Sequence, residues 1–371
     1  MKNIGYISSE FSPMSSAVSV RSSFFVDKLI LKKHNVTIFT SVKNNRYNII
    51  QNKLKLPTNK DGNHVRLLRE LFYGIELFFR IIFSKKMDMY IISSPPFFIT
   101  IFAFLAVKIK NSKNIILDVR DIYPEVFFES NVIDRMSFMA KILKKIELYM
   151  YENSKSILTV TSGLKDLVLS RGIQNHKVHV VRNGYDLNLF KINNNKYENF
   201  TIVFHGTLGR FQNIEMLIDL IRRFNILENK IQFLVIGTGS KDSLINNIKL
   251  PNLRYLENVK YHEIPKIISK CHLGLSLRTD DKISQSAFPV KVFEYIGVGI
   301  PILITPKSEA GEVIEKEKLG IQSTNELSEI VDNIYNIKNK YDHFISELHN
   351  KRNMFSRQYE SEKFYEIIIN Q

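Results

Sequence analysis

Short apolar runs rich in Ile and Val recur along the chain, each followed by a stretch with helical spacing. This alternation limits the fold more than any other feature. NIGYIS (3–8) leads into a helical pattern near 18–33, and NVTIFTS (35–41) follows. MYIIS (89–93), NIILDV (114–119), SILTVT (156–161) and KVHVVRNG (177–184) continue the series. FTIVFHG (200–206), IQFLVIG (231–237), LRYLEN (253–258), LGLSL (273–277) and PILIT (301–305) repeat it. Strands that alternate with helices form parallel sheets covered on both faces. So many strands exceed one compact sheet in 371 residues. The asparagine-rich KINNNKYEN (191–199) reads as a linker between two sets. An α/β chain of two Rossmann-like, doubly wound domains is therefore expected, over 1–188 and 200–350. The helical pattern at about 352–371 caps the second domain or crosses back onto the first. Ligands in such sheets bind beyond the carboxyl ends of the strands, which makes the crevice between the domains the expected site.

Charge is unevenly placed. Residues 1–185 carry 28 Lys+Arg against 14 Asp+Glu, a net of +14, whereas residues 186–371 carry 24 against 23, a net of +1. Such polarity suits an anionic partner of the first half: nucleic acid, a membrane surface or a phosphorylated substrate. A single cysteine, Cys271, excludes a disulfide framework and a thiolate zinc site, and it reads as a small core residue. MKNIGYISSEFSP has no long apolar core after its basic residue, so no secretory signal is read. The uncharged run from Met89 to Val107 is split by Pro95-Pro96 and reads as a buried strand, a turn and an apolar helix.

Three segments carry candidate chemistry. In FHGTLGRFQNIEMLIDLI (204–221), Gly206 and Gly209 allow a ligand close to the backbone, a helix N-terminus follows, and Arg210 can clamp a phosphate. The plain alternative is an ordinary strand-to-helix turn. FLVIGTGSKDSL (233–244) lacks the third glycine of a dinucleotide fingerprint, and no P-loop or metalloprotease motif occurs. In AFPVKVFEYIGVGIPIL (287–303), a helix starting near Pro289 places Lys291 and Glu294 three residues apart on one face. There the lysine can meet a diphosphate and the glutamate can accept hydrogen bonds from ribose hydroxyls. The alternative is a surface ion pair worth about 0.2–0.5 kcal/mol.

Taken in order, these segments resemble the retaining glycosyltransferases of family 4, which have the GT-B architecture of two Rossmann-like domains facing a central cleft. FSPMSSAVSVRSSFFVDKLILKKHNVTIFTS is similar to the family's first loop and helix. Asn183, Gly184 and Asp186 match its Asn-Gly-x-Asp element, and the three segments above match its donor-binding domain. DVRDIYPE (118–125) resembles a branch that builds bacterial surface polysaccharides, including transferases of N-acetylfucosamine-like sugars. The resemblance implies that Arg210 and Lys291 hold the donor diphosphate, Gly206, Gly209 and Pro289 line it, and Glu294 binds the ribose. The family's second glutamate, eight positions earlier, is Ser286 here. A lysine that commonly follows the arginine of the phosphate turn is replaced by Gln212 and Asn213, and Arg120 stands where relatives place a histidine before Asp121. Asp121 is the expected residue for positioning sugar or acceptor. Neither a cofactor nor a metal is implied.

The expected reaction is transfer from a nucleotide-diphosphate sugar, a UDP-sugar, to a lipid-diphosphate-linked or oligosaccharide acceptor in O-antigen or capsule synthesis. The basic first half is the expected acceptor domain. ELFYGIELFFRIIFSKK (70–86) reads either as a core helix with a basic end or as an interfacial helix on an anionic membrane. The expected location is cytoplasmic, at the inner face of the plasma membrane. A nucleotide-sugar epimerase of similar build and a non-catalytic donor-binding partner are the rival readings. No nucleic-acid-binding module is recognisable, so nucleic acid is not an expected partner.

Overall fold

A computed structural model describes the chain except residues 15, 57–62, 130–132, 228–229 and 370–371, so the last two residues of the expected C-terminal helix lie outside the described residues. The chain forms two compact units, Met1–Arg182 with Ser361–Gln371, and Asn183–Glu360.

The first unit holds seven strands: β1 (Asn3–Ile7), β2 (Asn35–Thr40), β3 (Asn48–Gln51), β4 (Met89–Ser94), β5 (Ile115–Val119), β6 (Ser156–Thr159) and β7 (Val178–Val180). They pair in the order β3-β2-β1-β4-β5-β6-β7, every pair parallel. Alternate side chains of each strand go to opposite faces, and both faces are covered, which is why the strands read as continuous apolar runs. On one face Tyr6, Ile38 and Ile91 meet Phe25 and Leu29 of helix α1 (Ala17–Leu31). On the other, Ile7, Ile92 and Leu117 meet helices α2 (Asn63–Phe83), α3 (Phe97–Ile109) and α4 (Phe138–Glu152). Short β3 sits at the sheet edge with its side chains only half-buried, so its weak apolar signal escaped the sequence reading.

The second unit holds six strands: β8 (Thr201–His205), β9 (Gln232–Ile236), β10 (Leu253–Leu256), β11 (Leu273–Leu277), β12 (Ile302–Thr305) and β13 (Gly320–Gln322). Their order is β10-β9-β8-β11-β12-β13, again all parallel. The order reverses between β8 and β11, where a doubly wound sheet opens its ligand crevice. Helix α5 (Ile214–Leu227) covers one face. The five-residue α6 (Lys282–Ser286) precedes α7 (Val290–Val298), which covers the other face.

Segment 191–199 is not a linker. The two units divide at Arg182 and Asn183, and this segment belongs to the second unit. Lys196 Nζ donates to the Ser269 carbonyl at 2.8 Å, and the Tyr197 amide donates to the Lys270 carbonyl at 2.9 Å. Its asparagines mark an exposed polar stretch rather than a boundary. The last helix, α8 (Arg357–Ile369), begins in the second unit and continues into the first. There Phe364 stacks on Phe25 at 4.0 Å between ring centroids, and Lys28 pairs with Glu362.

Candidate functional site

The carboxyl ends of β8 and β11 and the first turn of α7 form one polar cluster in the second unit. Tyr295 fixes α7 against the sheet. Its ring lies on Gly274 of β11, where an added Cβ would come within 2.4 Å of the ring. Its hydroxyl accepts from the His205 amide at 3.2 Å and lies 3.2 Å from the carbonyls of Val203 and Leu275. The helix ends at Gly299, whose φ of 71° lies in the left-handed region, with the Ile300 amide donating back to the Tyr295 carbonyl at 3.1 Å. Between these anchors, the rotation of α7 and hence the direction of Lys291 and Glu294 are set. Pro289 precedes the helix and makes no side-chain cap to its first turn.

Lys291 and Glu294 are both interior, 8% and 4% exposed, so the surface ion-pair alternative does not hold. Lys291 Nζ donates to Gln212 Oε1 at 2.9 Å and sits over the Phe204 ring at 3.8 Å. Burial, and then the nearby Arg278 guanidinium, lower its pKa to about 7 against a smaller opposing pull from Glu294. Burial raises the Glu294 carboxyl to about 7, opposed by a hydrogen bond from Tyr261 and by Arg357 and Lys291. His205 Nε2 lies 3.2 Å from Glu294 Oε2 but off line for a hydrogen bond. Burial and Lys291 hold that ring neutral, with a pKa of about 3.

The turn after β8 carries the other expected residues. Gly206 has φ of 119°, and a Cβ there would meet Lys291 Cε at 3.4 Å, so glycine keeps both the backbone shape and the lysine's path. Gly209 has neither a positive φ nor a close neighbour beyond Thr207 Cγ2 at 3.4 Å, and nothing in the structure requires glycine there. Arg210 is exposed, with its Cζ 5.9 Å from the Phe211 ring centroid. Ser286 ends α6, half-buried, and its hydroxyl donates to the Lys282 carbonyl at 2.9 Å.

Asp121, just past β5, belongs to the first unit. Its carboxyl reaches solvent although surrounding loops crowd it. That crowding pushes its pKa up against the pull of Arg120, an effect the solvent screens. Sequence reasoning passed over His205, Tyr261 and Arg278. For Arg278 a signal was available: a charged residue placed directly at the carboxyl end of an apolar strand, LGLSLR. Tyr261 lies in a loop and carried no such signal. Among the described residues no group of three or more His, Cys, Asp or Glu side chains could hold a metal ion. No described helix is long and apolar enough to cross a membrane.

Residues 186–353, all in the second unit, match the family model of group 1 glycosyl transferases. TuaH of Bacillus subtilis (strain 168), a protein named for a glycosyltransferase of teichuronic acid biosynthesis, is 26% identical over 204 residues. That match covers 52% of this chain and 50% of the relative, about half its length. Among solved structures, Anabaena HepE in complex with UDP-glucose superposes with a TM-score of 0.70 at 14% identity, covering 100% of both chains. WaaG, a glycosyltransferase involved in lipopolysaccharide biosynthesis, gives 0.70 at 12% identity over 99% of this chain and 100% of its own. Together with the two parallel sheets, these likenesses show the fold: the chain has the GT-B architecture of two Rossmann-like domains, as its sequence led one to expect.

Proposed function

We propose that the chain is a retaining glycosyltransferase of family 4 type, taking a sugar from a nucleotide-diphosphate donor, a UDP-sugar. The carrying observation is Lys291: a buried cation in the first turn of a helix, beside glycine backbone, held by a neutral amide rather than a carboxylate. A desolvated cation at a helix N-terminus favours an anion between them. Glu294, one turn deeper, suits a ribose. The group 1 match over the same residues and the UDP-glucose held by HepE support this reading.

In this reading the bond from the anomeric carbon to the diphosphate oxygen breaks while the acceptor oxygen bonds to the same face of that carbon. Lys291, Arg210 and the α7 amides stabilise the charge left on the diphosphate, which takes the acceptor proton. Gly206, Gly209 and Pro289 line the donor, Ser286 lies toward its sugar, and Asp121 positions sugar or acceptor. The first unit is the acceptor domain, and the acceptor is a lipid-linked or oligosaccharide intermediate of O-antigen or capsule synthesis.

The surface of the first unit supports a site of action at the inner face of the plasma membrane. Val65, Leu68, Phe72, Ile75, Phe79 and Phe83 form an exposed stripe along α2, the phenylalanines 57%, 51% and 82% exposed. Arg66, Arg69, Lys85 and Lys86 are exposed around it. An apolar stripe edged with cations suits an anionic lipid surface. The test is a UDP-sugar panel with a membrane fraction carrying lipid-linked intermediates, read by mass. Lys291→Ala and Glu294→Ala are expected to abolish both donor binding and transfer. Undiminished binding in both variants would sink the donor assignment, and sugar conversion without acceptor would indicate an epimerase.

A further inference from the structure

The turn after β8 has no cation at Gln212. Its side-chain oxygen is occupied by Lys291 Nζ, and its backbone forms an antiparallel bridge with Arg278. The Asn213 amide donates to the Leu277 carbonyl at 3.2 Å and the Thr279 amide to the Phe211 carbonyl at 3.2 Å, so the turn and the end of β11 are clasped together. This clasp carries Arg278 to the same side as Lys291. Along β11, Gly274 lies under Tyr295 of α7, and residues 276 and 278 follow on that face.

Arg278 is half-buried, and its side chain makes no hydrogen bond or ion pair among the described residues. Its guanidinium carbon lies 5.9 Å from the Phe211 ring centroid, the same distance as that of Arg210. The carboxylate that acts on it electrostatically, Asp281, takes its hydrogen bonds from other partners. It caps α6 through the Ser284 amide at 2.8 Å and accepts from the Thr279 hydroxyl at 2.6 Å and the Ser284 hydroxyl at 3.2 Å. Two cations, Arg278 and Lys291, thus converge at the switch point of the sheet; Asp281 and Glu294 act on them at longer range, but among the described residues no carboxylate forms an ion pair with either. Half-buried charges left unpaired are unfavourable unless a ligand supplies the counter-charge.

We propose that Arg278 is a further diphosphate-binding residue, reaching from the end of β11 to supply the charge that Gln212 does not. The inference rests on the donor-site reading above. Its planar fork suits two phosphate oxygens at once, while Lys291 contributes a point charge from the helix side. Phe211 lies within cation–π reach of both arginines.

The test measures binding of UDP, uridine and inorganic pyrophosphate by calorimetry to the full chain and to Arg278→Ala, Arg278→Gln and Arg278→Lys. Arg278→Ala is expected to lose at least about tenfold in UDP and pyrophosphate affinity, as loss of a charge-assisted pair implies, with uridine unchanged. Arg278→Lys is expected to fall between. Arg278→Gln keeps the stem on Phe211 and carries the test if the alanine variant does not fold. UDP affinity within twofold of wild type in the folded variants would overturn the proposal, as would an equal loss for uridine. If the wild type binds pyrophosphate but not UDP, the nucleotide-donor reading fails while Arg278 stands or falls by its own loss of pyrophosphate. Binding of neither probe to the wild type removes both.

Discussion

Donor binding should move protons, and in opposite directions on the two sides of neutrality. Lys291 and Glu294 lie one helical turn apart and interior, and burial draws both pKa values to about 7. A donor diphosphate selects the charged lysine, and ribose hydroxyls donating to Glu294 select the carboxylate. Below pH 7 the free pair is held mainly as ammonium and neutral carboxyl, so binding releases a proton. Above it the pair is mainly neutral amine and carboxylate, so binding takes one up. At one pH unit from 7 about nine-tenths of the group in question is in the wrong state, and affinity should fall about tenfold per further unit on either side.

UDP-glucose is the suitable probe, because a doubly esterified diphosphate lacks the second phosphate ionisation near pH 6 that would confuse the acid limb. Calorimetry in buffers of different ionisation enthalpy, at pH 6, 7 and 8, gives the proton number directly. The expected net values are release of about 0.8, near zero, and uptake of about 0.8. Glu294→Gln should erase the release below pH 7 and leave the uptake above it, while Lys291→Met should erase the uptake. A proton number that stays near zero from pH 6 to 8 would refute the coupling of these two groups to the ligand. So would one that keeps a single sign throughout.

Further perturbations separate the fold from the site. Gly274→Ala places a Cβ 2.4 Å from the Tyr295 ring, so it should destabilise by about 1–3 kcal/mol and weaken UDP-glucose binding through displacement of α7, read by denaturant unfolding and titration. Phe72→Ser, Phe79→Ser and Phe83→Ser together should lower partition onto anionic vesicles at least about tenfold, because each exposed ring contributes up to about 1.5 kcal/mol on burial. High salt should weaken wild-type partition as well, and equal partition to neutral and anionic vesicles would remove the membrane assignment. In the first unit, buried Glu147 accepts from Tyr151 at 3.0 Å, and burial raises its carboxyl to about 7. The folded state therefore holds more protons than the unfolded one between the ordinary 4.5 and 7. Its contribution is full below that range and is lost as pH rises through 7. Glu147→Gln should flatten this part of the pH–stability curve by at most about 3 kcal/mol, seen in denaturation midpoints at pH 5 and 7.5.

The parallel sheets were legible because strands buried on both faces are mostly apolar rather than alternating, and β4, β5, β8 and β11 are, with only isolated polar residues such as Asp118 and Ser276. Edge strands escape that rule. β3 and β13 are short, partly buried and unmarked in the sequence, and both were missed. Lys291 and Glu294 were legible as a pair on one helix face, but spacing could not say whether that face looks to water or to the sheet. Tyr295 decides this, by placing its ring on Gly274 and its hydroxyl on the ends of β8 and β11. Arg278 depends on a long-range event that no local pattern encodes, the clasp between the turn at Gln212 and the end of β11. A polar residue absent from one loop is therefore weak evidence that a site lacks its charge. In a doubly wound sheet the strand ends around a switch point converge, so a cation missing at Gln212 can be supplied 66 positions later in the chain, at Arg278, by a neighbouring strand. That is why substitutions in the phosphate turn are better weighed by the summed charge of all the converging strand ends than position by position.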